Sequence, residues 1–229
     1  MRGMVMLDLV LCCLVLSVPA YAEVNYALAQ SVVQIHAYSK ESRVFLGSGV
    51  VVGPHRVATN CHVTRTARVI VVSKGPLRYR AVSQKADPKR DICILEAPGI
   101  QQPAATLGAA SRLAVGEPVY VYGYPRAIGI AFSAGRIEAL HPYEGSRVIE
   151  TSADFAQGVS GGGLFDDSGR LIGLATFLSA GRSGHYYAIP ADWIATLARA
   201  AFHKIEPLVG SPFWEDVSAL PPFLRRPGQ

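Results

Sequence analysis

Metal-binding and phosphate-binding signatures are missing from this 229-residue chain. Its six histidines are dispersed, and none stands in the His-Glu-x-x-His spacing that sets two imidazoles and a base on one helix face. That excludes a metal hydrolase of that kind. Glycine-rich stretches occur, but no lysine follows them, so a nucleotide-phosphate loop is a poor fit. The formal net charge is +5, yet the basic residues come in ones and twos, as in Arg78 and Arg80, Lys89 and Arg90, or Arg225 and Arg226. With no basic block and no nucleic-acid motif, no nucleic-acid partner is expected. The surplus leaves only a weak attraction to acidic surfaces or anionic lipids. There is no internal repeat and no low-complexity tract. Cysteine is scarce: Cys12, Cys13, Cys61 and Cys93 are the full set.

Long apolar runs are absent except at the start. Arg2 supplies a basic residue, residues 4–18 are largely apolar apart from Asp8, and Val18-Pro19-Ala20-Tyr21-Ala22 places small residues where a signal peptidase reads. The run is shorter than the roughly 20 apolar residues that span a bilayer comfortably. Residues 1–22 therefore read as a cleaved signal peptide, with an uncleaved anchor as the alternative. A periplasmic or secreted destination follows, with no stable membrane span after cleavage. Cys12 and Cys13 leave with the signal, and the remainder can bury one large domain or two small barrels.

That remainder reads mostly as strand. Residues 31–38 carry β-formers, 47–52 run into a turn at Gly53-Pro54, and 56–59, 67–72, 78–84 and 92–96 follow. A second set covers 118–122, 128–137, 147–151, 163–165, 171–177 and 186–189. Between them, 98–111 is poor in β-branched residues and marks a crossing between two halves. Short strands broken by Gly, Pro and charged turns predict an all-β antiparallel barrel or sandwich. Residues 191–202 predict one helix, with Trp193, Leu197 and Ala201 on a shared face. From Glu206 onward, Pro207, Pro212, Pro221, Pro222 and Pro227 predict a tail that drapes over the surface or frays.

Three segments hold the chemistry. His62, in Ala58-Thr59-Asn60-Cys61-His62-Val63, follows an apolar strand and offers the side chain most often used as a general base. Asp91 opens Asp91-Ile92-Cys93-Ile94-Leu95, so a charge enters an apolar strand and needs a donor. Meeting the imidazole would fix the tautomer that leaves the other nitrogen free to accept a proton. Asp87, before Pro88, competes for that role but reads as a turn residue. Ser160 lies in Gln157-Gly158-Val159-Ser160-Gly161-Gly162-Gly163, where glycines allow a tight turn with converging amides. The amides of Gly158 and Ser160 are the expected oxyanion donors. Cys61 and Cys93 flank the base and the acid, so they form either a disulfide or a pair of buried small hydrophobes.

Taken in order, these motifs resemble the trypsin-like serine proteases, and most nearly the protease domain of the bacterial periplasmic Deg, or high-temperature-requirement, family. Ser168-Gly169-Arg170-Leu171-Ile172-Gly173 and Tyr187-Ala188-Ile189-Pro190 extend the resemblance, which runs from about Gln34 to Phe202. It implies a double β-barrel with a C-terminal helix: residues 23–110 carrying His62 and Asp91, 111–202 carrying Ser160, and 203–229 a proline-rich tail. Three departures stand out. Gly163 replaces the family's usual proline and would loosen the turn. Val159 replaces the asparagine or aspartate that in digestive relatives receives a newly cut N-terminus. No sequence is left for the peptide-binding domain that usually follows.

The same resemblance implies a catalytic triad of His62, Asp91 and Ser160 acting on polypeptides, with no cofactor and no metal. It puts Asp154, six residues before Ser160, at the base of the pocket for the side chain before the cut, which would favour Arg or Lys. Thr176, Phe177 and Leu178 would form the edge pairing with substrate backbone, Leu178 narrowing the pocket mouth, and His185 would line the far wall. Two alternatives remain: a catalytically silent binding or scaffold protein on the same fold, and an esterase using the same triad. The natural substrate and oligomeric state are not encoded in any motif.

Overall fold

Alternating burial builds the first sheet. In Val32–Ser39 (β1), Val33, Ile35 and Ala37 are fully buried, while Gln34, His36 and Tyr38 between them are half-buried. This period of two turns one face of a strand into a core. The computed structural model describes residues 25–178 and 185–225; residues 1–22, expected as a signal peptide, lie outside them. With β1, the strands Val44–Gly53 (β2), Arg56–Thr59 (β3), Ala67–Lys74 (β4), Leu77–Arg80 (β5), Ser83–Asp87 (β6) and Ile92–Glu96 (β7) form a seven-stranded sheet. Its order is β5-β4-β1-β2-β3-β7-β6. The single strand expected over 78–84 is in fact two. Ala81 N–H donates to the Ile70 carbonyl on β4, whereas Val82 N–H donates to Glu96 on β7. The chain changes partner between these residues, and the sheet curls there.

The second half closes fully. Pro118–Gly123 (β8), Ala131–Tyr143 (β9), Ser146–Thr151 (β10), Gly163–Asp166 (β11), Leu171–Leu178 (β12) and Tyr186–Pro190 (β13) make a six-stranded barrel in the order β10-β13-β12-β11-β8-β9. Strand β9 begins three residues later than the expected 128, because Arg126 and Ala127 take left-handed conformations (φ 51° and 56°) in a preceding 3-10 turn. It also runs on to Tyr143, where Glu144 and Gly145 turn the chain into β10. At β11, Gly163 faces Phe165: a Cβ there would stand 2.3 Å from the Phe165 ring, which fills the space a larger residue would need.

A shared core joins the halves. Val50, Ala58, Ile92 and Ile94 from the curled sheet pack with Tyr122, Phe165, Leu174 and Tyr187 from the barrel. Among the described residues, three short α-helices complete the architecture: Tyr26–Ser31 (α1), Cys61–Thr64 (α2) and Asp192–Leu197 (α3). The helix expected over 191–202 is shorter because its end is drawn onto β6. Lys85 Nζ donates to the Ala198 carbonyl (2.5 Å), and Gln84 and His203 exchange two backbone hydrogen bonds of 2.8 Å. Nor does the tail simply drape. Phe213 is buried, with Tyr143 at 4.6 Å and Trp193 at 6.3 Å between ring centroids.

Candidate active site

His62 sits on α2, one turn after β3, and Asp91 on the bend between β6 and β7. Asp91 takes a left-handed conformation (φ 59°), which aspartate tolerates better than most residues. Its carbonyl accepts from Asn60 Nδ2 (3.0 Å) and from the Cys61 amide (3.3 Å), tying the bend to the start of α2. Its carboxylate is fully buried. A buried carboxylate without donors is costly, and here three converge. Oδ1 accepts the His62 amide at 2.8 Å, Oδ2 lies 2.7 Å from His62 Nδ1, and Oδ2 accepts Trp214 Nε1–H at 3.3 Å. An anionic acceptor on Nδ1 keeps the imidazole proton there and turns Nε2 into the acceptor. Cys61 and Cys93 are joined as a disulfide, with Cα atoms 5.1 Å apart, linking α2 to β7 beside this pair.

Ser160 lies on the loop leading into β11. Gly158 and Gly161 hold φ of 99° and 83°, and at Gly161 a Cβ would meet the Ser48 carbonyl at 2.2 Å. Only glycine fits such a position without strain. Ser48 pins the loop from below: its amide donates to the Ser160 carbonyl (2.8 Å) and its hydroxyl to the Gly158 carbonyl (2.8 Å). The amides of Val159, Gly161 and Gly162 donate to Ala156, Ala175 and Val159 carbonyls. The Gln157 carbonyl turns toward the Arg126 amide (3.1 Å). Because a trans peptide sets C=O and N–H on opposite sides, the Gly158 N–H faces the other way. The Ser160 hydroxyl donates to the Thr176 carbonyl at 3.3 Å.

His62, Gly158 and Ser160 line one cleft of about 410 Å³, with Val44, Phe45 and Leu46 on one side and Arg126 and Gln157 among the rest of its wall. The other sequence-expected residues are placed differently. Asp154 is exposed, accepts from Ser133 Oγ at 2.6 Å, and lines a separate pocket of about 190 Å³ with Phe155 and Val159. Thr176 is buried; its hydroxyl donates to the Leu174 carbonyl (2.7 Å) and accepts from Asn60 Nδ2 (3.1 Å). Phe177 is buried between the rings of Tyr187 and Trp214, with centroids at 4.9 and 5.0 Å. Leu178 ends β12 opposite Tyr186. His185 Nδ1 hydrogen-bonds to Glu150 Oε1. Neither Asp154 nor His185 is among the described residues of the cleft wall.

The histidines are less dispersed in space than along the chain. His141 Nε2 meets the second oxygen of Glu150 at 2.7 Å. Burial alone would raise the Glu150 carboxyl; the two imidazoles outweigh it and hold the group below its ordinary value. Glu138 joins this group: with Glu150 and His185 it offers ligand atoms within 4.8 Å of one another, the spacing a metal ion needs. Both Glu150 oxygens already have imidazole partners. Three residues that sequence reasoning passed over shape the site. Asn60 stood inside the His62 motif and Ser48 between two glycines, both readable as signals. Trp214 lay in the tail, with nothing in its spacing to connect it to Asp91.

Comparisons with known proteins bear on the family and the fold. A family model described as a trypsin-like peptidase domain matches residues 47–174, more than half of the chain. Serine protease Rv3671c of Mycobacterium tuberculosis is 32% identical over 160 residues, covering 65% of this chain and 40% of that protein. Periplasmic serine endoprotease DegP of Escherichia coli is 32% identical over 169 residues, covering 66% and 35%. The chain thus spans two fifths or less of these relatives' length. Among solved structures, the active form of the Rv3671c protease superposes with a TM-score of 0.71 at 28% identity, covering 81% of this chain and 86% of that one. The HtrA-type protease AlgW with a tripeptide gives 0.67 at 28% identity, covering 76% and 62%.

Proposed function

This chain belongs to the trypsin-like peptidase family, and from that premise we propose that it is a serine endopeptidase working through Ser160, His62 and Asp91. The observation that carries the reading is the buried Asp91 carboxylate 2.7 Å from His62 Nδ1, with His62 and Ser160 lining one cleft. As Ser160 Oγ attacks a peptide carbonyl carbon, its proton passes to His62 Nε2 and the carbonyl π pair moves onto oxygen. The Gly158 and Ser160 amides face that oxyanion; each such donor is worth about 3 kcal/mol in related systems. The imidazolium then protonates the departing amine, the C–N bond breaks, and the ester remains on Ser160. Water, deprotonated by the same imidazole, releases the acid and restores the serine.

For the residue before the cut we propose a preference for Arg or Lys, drawn from the exposed Asp154 carboxylate five residues before Val159 in the neighbouring pocket. We further propose export to the periplasm. The relative DegP is a periplasmic endoprotease, and a disulfide suits an oxidising compartment.

A second reading, a silent binding protein, draws on the Ser160 hydroxyl being turned to the Thr176 carbonyl. One experiment separates the two. Mass spectrometry after incubation with a serine-reactive fluorophosphonate is expected to show a single adduct on Ser160, absent from Ser160→Ala. Folded protein that takes up no label would favour the silent reading.

A further inference from the structure

The Asp91 carboxylate takes the His62 amide on Oδ1 and faces the imidazole with Oδ2, and it has one donor more, which the barrel's Thr176 does not supply. Thr176 is close through Asn60, but its hydroxyl is committed to the Leu174 carbonyl and to Asn60 Nδ2. The donor comes instead from the far end of the chain. Trp214 Nε1–H reaches Asp91 Oδ2 at 3.3 Å, the same oxygen that faces His62 Nδ1. The indole also stands edge-on to the His62 ring (centroids 5.4 Å apart, 88° between planes) and lies parallel to Phe177 (5.0 Å, 18°).

The segment carrying Trp214 is fastened to both halves of the pair. On the His62 side, Leu208 N–H donates to the Arg65 carbonyl (2.7 Å), and the Arg65 guanidinium meets Glu215 at 2.6 Å. On the Asp91 side, Phe213 N–H donates to the Lys89 carbonyl (2.9 Å), and the Phe213 ring is buried among Tyr143, Trp193 and Phe177. Arg65 follows His62 by three residues and Lys89 precedes Asp91 by two. The segment is therefore a strap across the gap between the two motifs, with the indole at its centre.

We propose that Trp214 is a positioning residue: the C-terminal strap delivers its indole N–H to Asp91 and so holds the carboxylate in the plane that fixes the His62 imidazole. The His62 amide already holds Oδ1; a second donor on Oδ2, carried by a rigid ring buttressed by Phe177, holds the other oxygen more firmly than the imidazole alone. A hydrogen bond to a charged group is among the stronger ones in a protein. Its loss leaves Oδ2 to the imidazole alone and loosens the hold on that oxygen, and on the histidine with it. The activity readout of this proposal rests on the serine-peptidase reading; its spectroscopic readout does not.

Trp214→Phe keeps a ring on Phe177 and removes the N–H. Ser160 labelling by a fluorophosphonate is expected to slow about tenfold in this variant, the scale of one charged hydrogen bond, with the melting temperature little changed. The downfield proton resonance of His62 Nδ1–H is expected to move. Val217→Ala, at an exposed tail position outside the strap's fastenings, should label at the parental rate. Parental labelling by Trp214→Phe with an unmoved resonance would overturn the proposal. So would a slower rate with an unmoved resonance, or an equal loss in Val217→Ala, since either would assign the effect to a general disturbance of the segment. In the unaltered protein the Trp214 indole proton should be protected from hydrogen exchange, and free exchange would sink the idea without any variant. If the unaltered protein takes no label at all, the peptidase reading falls, while the resonance and the exchange rate still decide the role of Trp214.

Discussion

Asp91 and Asp154 carry the same side chain in opposite settings, and the contrast sets what each can do. Asp91 is fully buried beneath three N–H donors, so its charge is compensated and its orientation held. Asp154 is exposed, with a serine hydroxyl on one oxygen, and its charge remains free to meet a ligand. If it receives the side chain before the cut, matched peptides differing only by Arg or Ala at that position should be cleaved at different rates. Asp154→Asn should then reduce the preference about two- to fivefold, the range of a solvent-exposed ion pair. Equal cleavage of the two peptides by the unaltered protein would rule the assignment out. At this scale the sequence is legible where a residue's own chemistry is unusual for its surroundings, as with a charge opening an apolar strand at Asp91. It is silent about Trp214, because an indole in a proline-rich tail has no local pattern that announces a partner more than a hundred residues away.

Between elements, the link of most consequence is the one from α2 to β7. The Cys61–Cys93 disulfide closes a loop with a sequence separation of 32, and it joins the short helix bearing His62 to the strand that follows Asp91. By loop-closure entropy a bridge of this span stabilises the fold by about 3–4 kcal/mol. Reduction is expected to lower the urea midpoint accordingly, and a thiol count on the unreduced protein should find neither cysteine free. Two free thiols, or an unchanged midpoint on reduction, would contradict this. Strand positions were legible from alternation and from Gly and Pro breaks. Their ends were less so, for reasons visible in particular residues. The switch of partner between Ala81 and Val82 splits one expected strand into two, and Lys85 and Gln84 draw the chain off the last helix. In both places a contact with a distant strand outcompetes local propensity.

Taken as a whole, the molecule sets the cleft lined by His62 and Ser160 between a curled sheet and a closed barrel, and its C-terminal segment reaches both. The charge is modest, and no helix among the described residues is long and apolar enough to cross a membrane. If the chain is exported as proposed, N-terminal sequencing of protein recovered from the periplasm or medium should begin at Glu23; retention of Met1 on a membrane-bound product would count against it. The sequence by itself determined the all-β class, because alternation and turn residues are local. It also determined the residue types available for acyl transfer, because glycine, serine, histidine and aspartate each leave a chemical signature in their neighbourhood. Only the tertiary structure decided which groups meet: Ser48 beneath the Ser160 loop, His185 on Glu150, and a tail indole on Asp91. Each of these contacts joins residues far apart in the chain, and no period, spacing or composition records a distance that only folding creates.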